Sequence, residues 1–308
     1  MKKCLVLFSG GLDSRLAIKI MQEQGFEIIA VFFKLPFGVG CCNENCSFNF
    51  SQMQGVKLKI VDVTKGKLLE EYLEIVKKFE HGRGSGLNPC IDCRIFILKK
   101  AKEIADKEKI DLIVTGEVLG ERPMSQHRKA MKVIEEKSEL SSRILRPLSA
   151  KFFPETNAEK NKLLDREKLY SIQGRRRTEQ IKLAEKFKIN FPTPAGGCLL
   201  CEKNLKKRFQ ILLENNFIND KTLYFFNFGR HFFIENSWII LGRDEEENKL
   251  IENAKIGKLI GPFKDKPSAR TINSENSEKI ENLFDELIDA YAKNSTLEQR
   301  KKFEEYKL

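Results

Sequence analysis

A glycine-rich turn near the start of the chain has the composition of a phosphate-binding loop. Its sequence is Ser9-Gly10-Gly11-Leu12-Asp13-Ser14, and it lies between an apolar run and an amphipathic segment. Backbone N–H groups at a strand-to-helix turn can point at an anion, and glycine lets that anion approach closely. The turn matches neither a Walker A loop nor a GxGxxG dinucleotide loop. It therefore predicts a phosphate cradle of another kind.

Two pairs of cysteines have a spacing typical of metal ligands. NPCIDC contains Cys90 and Cys93, and PAGGCLLC contains Cys198 and Cys201. Thiolates at this spacing bind zinc and iron–sulfur clusters. A helix predicted over residues 94–106 begins just after Cys93, so we expect its N-terminus to lower the pKa of that thiol. Three more cysteines lie in a loop without a motif that we can match: Cys41, Cys42 and Cys46.

The elements that must position these groups alternate between strands and helices. The apolar runs KCLVLFS, EIIAVFF, VKLKIVDV and DLIVTG are separated by segments with apolar residues at helical spacing. This alternation predicts an α/β fold with a parallel doubly wound sheet, whose ligands bind at the carboxyl ends of the strands. Gly116 and Glu117 follow the strand DLIVT, so we expect them at the same edge as the glycine turn.

The pattern changes after residue 150 and predicts three segments. These are an ATP-binding domain at residues 1–150, a charged helical extension carrying the second cysteine pair at 151–203, and a small α+β domain at 204–308. In the last segment the aromatic runs TLYFFNF, HFFIE and SWIILG predict strands. The run SEKIENLFDELIDAYA predicts an amphipathic helix.

Composition narrows the class of protein. The chain has 308 residues, of which 41% are hydrophobic, and a net charge of +11. No apolar run approaches the roughly 20 residues of a membrane span, so we expect a cytoplasmic protein. The positive charge favours a polyanionic partner, with nucleic acid first. In such a protein the eight cysteines are expected to be metal ligands or reactive thiols rather than structural disulfides.

The glycine turn resembles the S-G-G-x-D-S loop of the PP-loop ATP pyrophosphatases at every position. The resemblance implies an adenine nucleotide alpha-hydrolase-like fold and an enzyme that splits ATP between its α- and β-phosphates and transfers AMP to a substrate oxygen. It also implies that Asp13 organises Mg²⁺ and that adenine lies near Phe32. The ATP-binding residues that we predict are Ser9, Gly10, Gly11, Asp13, Ser14, Phe32, Gly116 and Glu117.

The cysteine segments extend this resemblance to tRNA thiolation. LNPCIDCRIFILKKA and AGGCLLC resemble the two cysteine segments of the tRNA 2-thiouridylases, aligning Cys93 and Cys198 with theirs. TGEVLGERPMSQ and ILRPLS are similar to segments of the tRNA 4-thiouridine synthetases. Over residues 4–205 the resemblance implies an ATP-dependent tRNA sulfurtransferase that replaces a uridine carbonyl oxygen by sulfur. Whether C2 or C4 is thiolated stays open.

The resemblance leaves several roles open for the cysteines. Iron–sulfur-dependent members hold a 4Fe-4S cluster on three cysteines, which implies Cys90, Cys93 and Cys198 as ligands, with Cys201 as a further one. Asp13 and these three cysteines are then the predicted catalytic residues. One alternative is a cluster-free thiolase with Cys93 as nucleophile and Cys198 as persulfide carrier. Others are a PP-loop amidotransferase or ligase with structural zinc, and a non-catalytic RNA-binding protein.

Basic residues predict tRNA as the partner, together with sulfide or a persulfide carrier as sulfur donor. The segment FGRHFFIENSWIILGRDEEENKLIENAK resembles the NFACT RNA-binding module of ribosome quality-control proteins. Basic groups around a thiol crevice suit a tRNA whose uridine is flipped in. The RNA-binding residues that we predict are Arg122, Arg175, Arg176, Arg177, Lys206, Lys207, Arg230 and Arg243.

Overall fold

The computed structural model describes residues 2–38, 44–193, 197–272 and 278–308. It divides into two compact units, Met1–Lys203 and Asn204–Leu308. Cys41 and Cys42 lie outside the described residues. Among the residues that are described, no helix combines the length and the apolar composition needed to cross a bilayer.

The first unit contains a five-stranded parallel sheet. Its strands are β1 (Lys3–Leu7), β2 (Glu27–Lys34), β3 (Lys57–Asp62), β4 (Ile113–Thr115) and β5 (Ile144–Leu145). The strand order is β3-β2-β1-β4-β5, and the central strand β1 is buried from Cys4 onwards. The predicted parallel α/β class is therefore confirmed.

In the described part of this unit, seven helices accompany the sheet. They are α1 (Leu12–Glu23), α2 (Glu44–Met53), α3 (Gly66–Lys78), α4 (Cys90–Lys107), α5 (Arg128–Lys137), α6 (Asn157–Lys160) and α7 (Thr178–Lys186). The helices α1 and α7 pack against each other. Apolar side chains of α1 and α7 join those of β1 and β4 in one buried core.

The strand order places a crevice between β1 and β4. The chain leaves β1 towards β2 on one side and continues from β4 to β5 on the other, so the connections diverge between these two paired strands. Parallel α/β sheets bind ligands at such a point, outside the carboxyl ends of the strands. The glycine turn follows β1, and Gly116 follows β4, so both lie at this edge.

Two predictions about helices are corrected. The segment 155–189 is mostly irregular rather than helical, with only α6, α7 and a 3₁₀ turn at Arg166–Lys168. Its apolar residues Leu164, Leu169 and Ile172 pack into the core of the first unit, which stabilises the irregular backbone between the helices. The helix predicted over residues 94–106 begins earlier, at Cys90.

The second unit contains a four-stranded antiparallel sheet. The strands β6 (Arg230–Ile234), β7 (Ser237–Leu241), β8 (Lys258–Ile260) and β9 (Ala269–Ile272) are ordered β6-β7-β9-β8. Its helices are α8 (Lys206–Glu214), α9 (Glu245–Asn253), α10 (Glu278–Ala290) and α11 (Leu297–Lys301). The predicted amphipathic helix corresponds to α10, whose Phe284, Leu287 and Ile288 are buried with the sheet residues Phe232 and Leu241.

The predicted strand TLYFFNF is wrong. Thr222–Asn227 forms a 3₁₀ helix, because Thr222 makes local hydrogen bonds that favour a turn. Its hydroxyl donates to the Phe217 carbonyl over 2.6 Å and accepts from the Asn219 N–H over 2.8 Å. Phe225 and Phe226 of this turn pack within about 6 Å of the buried Trp238 ring, at 6.0 and 6.3 Å between centroids.

Candidate functional site

The glycine turn, Ser9–Ser14, forms a compact loop that we call the phosphate loop. Gly11 precedes α1, and no side chain caps the helix there. The Ser14 hydroxyl donates to the Gly11 carbonyl over 2.9 Å, and the Ser9 hydroxyl lies 3.3 Å from that of Ser14. The loop thus presents two hydroxyls beside a helix N-terminus, where the dipole favours an anion.

A buried arginine supports the phosphate loop from behind, and the sequence analysis missed it. Arg15 is 6% exposed, and its Nε donates to the Gly10 carbonyl over 2.7 Å. Its Nη1 donates to the Asn190 carbonyl over 2.8 Å, and its guanidinium lies 4.4 Å from the Phe50 ring centre. These contacts fix the Gly10 peptide and connect the loop to the segment that follows α7.

Gly116 brings the end of β4 directly against the phosphate loop. A Cβ at this position would lie 2.6 Å from the Asp13 carbonyl carbon and 2.6 Å from the Ser14 nitrogen. Such distances do not occur between non-bonded atoms, so only glycine permits this approach. Gly116 is therefore required for the packing of the loop against β4.

Glu117 is held in a buried network rather than exposed in the crevice. Its carboxylate lies 2.7 Å from Nε of Arg94 and 3.0 Å from Nε of Arg146, and the Thr115 hydroxyl donates to it over 3.0 Å. Burial disfavours the charge, but the two arginines prevail and lower the pKa of Glu117 to about 2. Because Arg94 follows Cys93 on α4, this network connects the phosphate-loop edge of the sheet to the first cysteine pair.

Asp13 lies in an acidic pocket. Burial raises its pKa to about 7, and the charge of Glu121 adds to that effect, whereas Arg177 and Gln180 oppose it. Arg177 donates from Nε to Glu121 over 2.6 Å and holds Nη2 3.9 Å from the Asp13 carboxylate. The Oδ1 atom of Asp13 is buried without a hydrogen-bond partner. The negative charge of Asp13 and Glu121 therefore favours a cation beside the loop.

Phe32, predicted beside adenine, is a buried residue of β2 with 9% exposure. It lies opposite Ile60 in the register with β3. Its ring is therefore mostly covered by the protein.

The two cysteine pairs, far apart in sequence, meet in the first unit. The Leu87 N–H donates to the Leu200 carbonyl over 2.8 Å, and the Ser85 hydroxyl donates to the Cys201 carbonyl over 2.9 Å. Gly86 has a φ of +66°, and a Cβ there would lie 2.4 Å from the Leu200 oxygen. Only glycine lets the segment before Cys90 approach the second pair this closely.

The loop after β2 also holds the second pair. Gly38 forms an antiparallel bridge with Cys198, and the Leu199 N–H donates to the Phe37 carbonyl over 2.8 Å. Since this loop leaves the carboxyl end of β2, Cys198 lies at the same edge of the sheet as the phosphate loop. We call Cys90, Cys93, Cys198 and Cys201 the cysteine quartet.

The thiols of the quartet contact one another and have opposed acidities. Cys90 and Cys198 both hydrogen-bond to the Cys201 sulfur. Burial raises the pKa of Cys90 to about 12, and the bond to Cys201 raises that of Cys198. The Cys198 bond, aided by the Asn88 amide, lowers the pKa of Cys201 to about 6. Cys201 is thus the most acidic thiol of the quartet.

The prediction that the helix N-terminus lowers the pKa of Cys93 is wrong. Burial raises the pKa of this thiol, although the Tyr72 hydroxyl opposes the effect. Tyr72 is 1% exposed, and its Oη lies 3.2 Å from the Cys93 sulfur. It also packs edge-on against Phe96 of α4, at 5.5 Å between ring centres. Cys93 is therefore a partly buried thiol whose acidity is set by burial against the opposing Tyr72 hydroxyl.

The quartet sulfurs contact one another in pairs, Cys90 with Cys201 and Cys198 with Cys201. Among the described residues, three metal-type ligand atoms all lie within 4.8 Å of one another only at Glu80, His81 and Asp92. Zinc–sulfur bonds of about 2.3 Å at tetrahedral angles place sulfurs about 3.8 Å apart. The quartet therefore offers thiolate ligands for zinc or for an iron–sulfur cluster, and its sulfurs must move closer together to hold a single zinc ion.

Two further cysteines among the described residues do not belong to this quartet. Cys4 is a fully buried core residue of β1. Cys46 is disulfide-bonded, contrary to the expectation of free thiols, and its sulfur accepts a hydrogen bond from Nη2 of Arg15 over 3.2 Å. Cys46 therefore contributes to the support of the phosphate loop.

The predicted RNA-binding residues of the first unit differ in their surroundings. Arg122, Arg175 and Arg176 are exposed. Arg177 is half-buried and paired with Glu121. Exposed arginines of this kind can contact a phosphate backbone without rearrangement.

In the second unit most of the predicted RNA-binding residues make internal contacts. Arg243 forms a two-pronged ion pair with Glu247. Arg230 donates to the Gly242 carbonyl over 2.9 Å, and Lys207 donates to the Glu305 and Lys307 carbonyls over 3.0 and 2.8 Å. Lys206 is exposed.

Comparison with known proteins identifies the domain that carries the phosphate loop. Residues 1–151 match the family model described as thiamine biosynthesis protein (ThiI). A tRNA-specific 2-thiouridylase MnmA of Clostridium acetobutylicum is 31% identical over 134 residues, covering 37% of this chain and 35% of that protein. A probable tRNA sulfurtransferase of Methanosarcina mazei is 29% identical over 124 residues, covering 39% and 29%.

A relative of another class is also similar to this chain. An argininosuccinate synthase of Bacillus pumilus is 29% identical over 123 residues, covering 37% of this chain and 28% of that protein. The chain spans about a third of the length of the curated relatives that it matches. Relatives of different activities thus resemble this chain.

Proposed function

We propose that this chain, whose first 151 residues carry a ThiI-type PP-loop domain, is an ATP-dependent tRNA uridine thiolase. The observation that carries the proposal is the meeting of the cysteine quartet with the phosphate-loop edge of one sheet. Gly116 packs on the loop, and the next residue, Glu117, pairs with Arg94 beside Cys93. ATP activation and sulfur transfer need this proximity, since the activated uridine must meet a sulfur.

The first step is adenylation of the uridine. The uridine carbonyl oxygen attacks the α-phosphorus of ATP, the α–β bridging P–O bond breaks, and pyrophosphate leaves with the electron pair. The hydroxyls of Ser9 and Ser14 and the N-terminus of α1 stabilise the charge on the phosphates. The former carbonyl oxygen then belongs to AMP, a far better leaving group than oxide.

The second step is displacement of AMP by sulfur. Sulfide adds to the activated carbon, AMP leaves with the uridine oxygen, and two protons are released as the thiocarbonyl forms. The sum is uridine, ATP and H₂S giving thiouridine, AMP and pyrophosphate, with no change of oxidation state. Cys93 is only partly exposed, and the ring of Tyr72 beside its sulfur, which packs on Phe96, limits the access of water to the activated uridine.

The residues of the quartet fit an iron–sulfur cluster. Thiolates are the ligands that such clusters prefer, and all four cysteines of the quartet are free thiols that are partly exposed. Cys90, Cys93 and Cys198 would hold a 4Fe-4S cluster, and Cys201 lies within hydrogen-bonding contact of two of them. When bound, the cluster supplies an iron that can hold the sulfide substrate.

Mg²⁺ fits the pocket beside the phosphate loop. The buried Oδ1 of Asp13 has no hydrogen-bond partner, and the carboxylate of Glu121 adds negative charge. Carboxylate oxygens and substrate phosphates are the usual ligands of Mg²⁺. In this role Asp13 orients the metal-bound phosphates towards the loop.

The partner that we propose is tRNA. A net charge of +11 favours a polyanion, and the exposed Arg122, Arg175 and Arg176 belong to the same unit as the quartet. Lys206, Arg230 and Arg243 of the second unit are further candidates for the tRNA backbone.

The test is direct thiolation. Protein purified without air is incubated with unmodified tRNA, ATP, Mg²⁺ and sulfide, and the digested tRNA is analysed by mass spectrometry. We expect a thiouridine that forms only with ATP, together with AMP in equal amount. Retention time against 2- and 4-thiouridine standards identifies the carbonyl. No thiouridine from protein with a filled cluster would overturn the proposal.

Matched variants separate the two steps. Asp13→Ala is expected to abolish AMP release and leave iron–sulfur absorption intact, whereas Cys93→Ser is expected to abolish thiouridine formation. Cys4→Ser is the control for loss of a thiol, because Cys4 is a core residue outside the quartet.

A cluster-free thiolase is the second candidate, and the proximity of Cys93 and Cys198 favours it. Burial raises the pKa of the Tyr72 hydroxyl, and both thiols lie close enough to raise it further. In this mechanism the outer sulfur of a Cys198 persulfide attacks the activated carbon, and AMP leaves. The Cys93 thiolate then attacks the Cys198 sulfur, the S–S bond breaks and the thiocarbonyl is released, which leaves a Cys93–Cys198 disulfide that a thiol reductant must reduce. Thiolation by iron-free protein with a persulfide donor would select it. Zinc without iron or thiolation would instead favour an amidotransferase or ligase.

A further inference from the structure

Arg177 lies between two carboxylates at the phosphate loop. It is the residue before the first turn of α7. Its Nε donates to Glu121 over 2.6 Å, and its Nη2 lies 3.9 Å from Oδ2 of Asp13. The tight contact is therefore made by Nε, and the Nη edge of the guanidinium faces the loop residue. The exposed neighbours Arg175 and Arg176 have no such position.

The surroundings of Arg177 contain buried polar atoms that the protein does not satisfy. Asp13 Oδ1, Glu121 Oε2 and both amide atoms of Gln180 make no hydrogen bond of good geometry among the described residues, although the Gln180 amide lies beside the Asp13 carboxylate. Gln180 is 0% exposed and belongs to the first turns of α7. A buried polar group without a hydrogen bond destabilises the fold, so several such groups around one loop indicate a ligand that hydrogen-bonds to them.

The charges indicate what kind of ligand this is. Among the described residues two carboxylates, Asp13 and Glu121, face the Arg177 guanidinium, so a cation beside them would stabilise the charged form of both, an effect that the N-terminus of α7 supplies only in part. A magnesium-bound pyrophosphate supplies the missing cation to the carboxylates. It also supplies phosphate oxygens, which the guanidinium binds in its preferred two-pronged geometry.

We infer that Arg177 is a ligand of the pyrophosphate half of ATP, oriented by Glu121, and does not belong to the RNA-binding surface. The inference rests on the proposed use of ATP and assigns a further residue to that site. As the uridine oxygen bonds to the α-phosphorus and the α–β bridge breaks, the electron pair stays on pyrophosphate. The guanidinium lies where it stabilises that charge.

A purely structural role for Arg177 makes a different prediction. If the arginine only neutralises the buried Glu121, removing both charges restores the pocket. If it binds phosphate, removing Glu121 does not compensate for its loss. The informative proteins are therefore R177A, E121Q and the double variant E121Q/R177A, with K182A as the control for loss of an exposed cation on α7.

The measurement is calorimetric binding of Mg–ATP to the full chain, with binding of an unmodified tRNA transcript measured by fluorescence anisotropy. We expect R177A to weaken Mg–ATP binding by about 10- to 100-fold, the range for charge-assisted hydrogen bonds. The double variant is expected to bind Mg–ATP no more tightly than R177A, and E121Q is expected to weaken binding less than R177A does, through loss of one carboxylate near the cation. Only the control K182A is expected to remain within a few-fold of the wild type. The dissociation constant for tRNA is expected to change less than two-fold in R177A.

Three results would overturn the inference. They are wild-type affinity for Mg–ATP in R177A, recovery of that affinity in E121Q/R177A, and loss of tRNA binding in R177A with unchanged Mg–ATP binding. The result of this binding experiment can be distinguished from the result of the thiolation test. Arg177-dependent Mg–ATP binding by a protein that makes no thiouridine would sustain this inference and refute the thiolase.

Discussion

The phosphate loop consists of six consecutive residues. The cysteine quartet instead joins distant segments of the chain: Asn88, which hydrogen-bonds to the Cys201 sulfur, lies 113 positions before it. The loop is shaped by its own glycines and by Arg15 beneath it. The quartet is shaped by backbone contacts between three loops, at Gly38, Leu87 and Leu199. A local motif tolerates change elsewhere in the chain, but an assembled site depends on every contact that joins its parts.

The two sites also differ in how their ionisable groups are stabilised. The phosphate loop places Asp13 beside Glu121, and burial raises the pKa of Asp13 to about 7. In the quartet one thiol becomes acidic because another donates to it. The loop thus depends on a ligand to balance its charges, whereas the thiols balance part of theirs among themselves. Variants that damage one site and leave the other intact test this division.

The largest effect is expected for Gly116→Ala. The added Cβ would lie 2.6 Å from backbone atoms of Asp13 and Ser14, so either the loop or β4 must shift. We expect Mg–ATP binding to weaken at least 100-fold by calorimetry, while the quartet still binds its metal. Gly197→Ala is the control for Mg–ATP binding, since a Cβ there meets nothing within 4 Å. Normal Mg–ATP binding by Gly116→Ala would show that the loop is not held by β4.

The converse variant is Gly86→Ala, which adds a Cβ 2.4 Å from the Leu200 oxygen at a φ of +66°. We expect loss of iron binding and of thiouridine formation, with Mg–ATP affinity unchanged. The control is Gly82→Ala, which has a φ of +83° and open space around its Cβ. It carries the conformational cost of about 1 kcal/mol without the collision. Equal effects of the two variants on iron binding would contradict the assembly described here.

A pH effect follows from the acidity of Asp13. Its pKa rises from 3.8 unfolded to about 7 folded, so the folded state binds the extra proton between these values. The wild type should therefore lose stability as pH rises from about 4 to 7, by up to about 4 kcal/mol. Asp13→Asn should lack this loss when urea unfolding is followed in EDTA. Glu155→Gln, at an exposed carboxylate, should retain the wild-type slope, and a wild-type slope in Asp13→Asn would refute the assignment.

The smallest effect is expected for Tyr72→Phe. Loss of the hydroxyl 3.2 Å from the Cys93 sulfur should cost about 1 kcal/mol in unfolding free energy. Because hydrogen bonds to ligand sulfurs raise the reduction potential of iron–sulfur clusters, we expect a lower potential in redox titration and a few-fold slower thiolation. Tyr170→Phe, which alters a half-buried tyrosine of the main core, serves as the control. An unchanged reduction potential in Tyr72→Phe would show that Tyr72 contributes only to packing and does not affect the cluster.

Much of the fold was predictable because its signals are local. The strands around the phosphate loop are apolar runs, and their alternation with helices predicts the parallel sheet that the structure has. The predictions of secondary structure and acidity that were wrong concern residues whose tertiary contacts outweigh their local sequence pattern. Thr222 makes turn hydrogen bonds inside an aromatic run, and apolar residues of 155–189 reach the core without a regular helix. Burial also reverses the acidity expected for Cys93.

The sequence by itself determined the phosphate loop, the CxxC pairs and the positive charge, because each depends on residue types at short spacing. Only the tertiary structure decided which groups share a site. It brings the two cysteine pairs together through Gly86 and moves Glu117 into a pair of arginines. It also places Arg177 beside Asp13 rather than with its exposed neighbours. The physical reason is that contacts across long separations depend on packing and burial, which no local pattern of residues encodes.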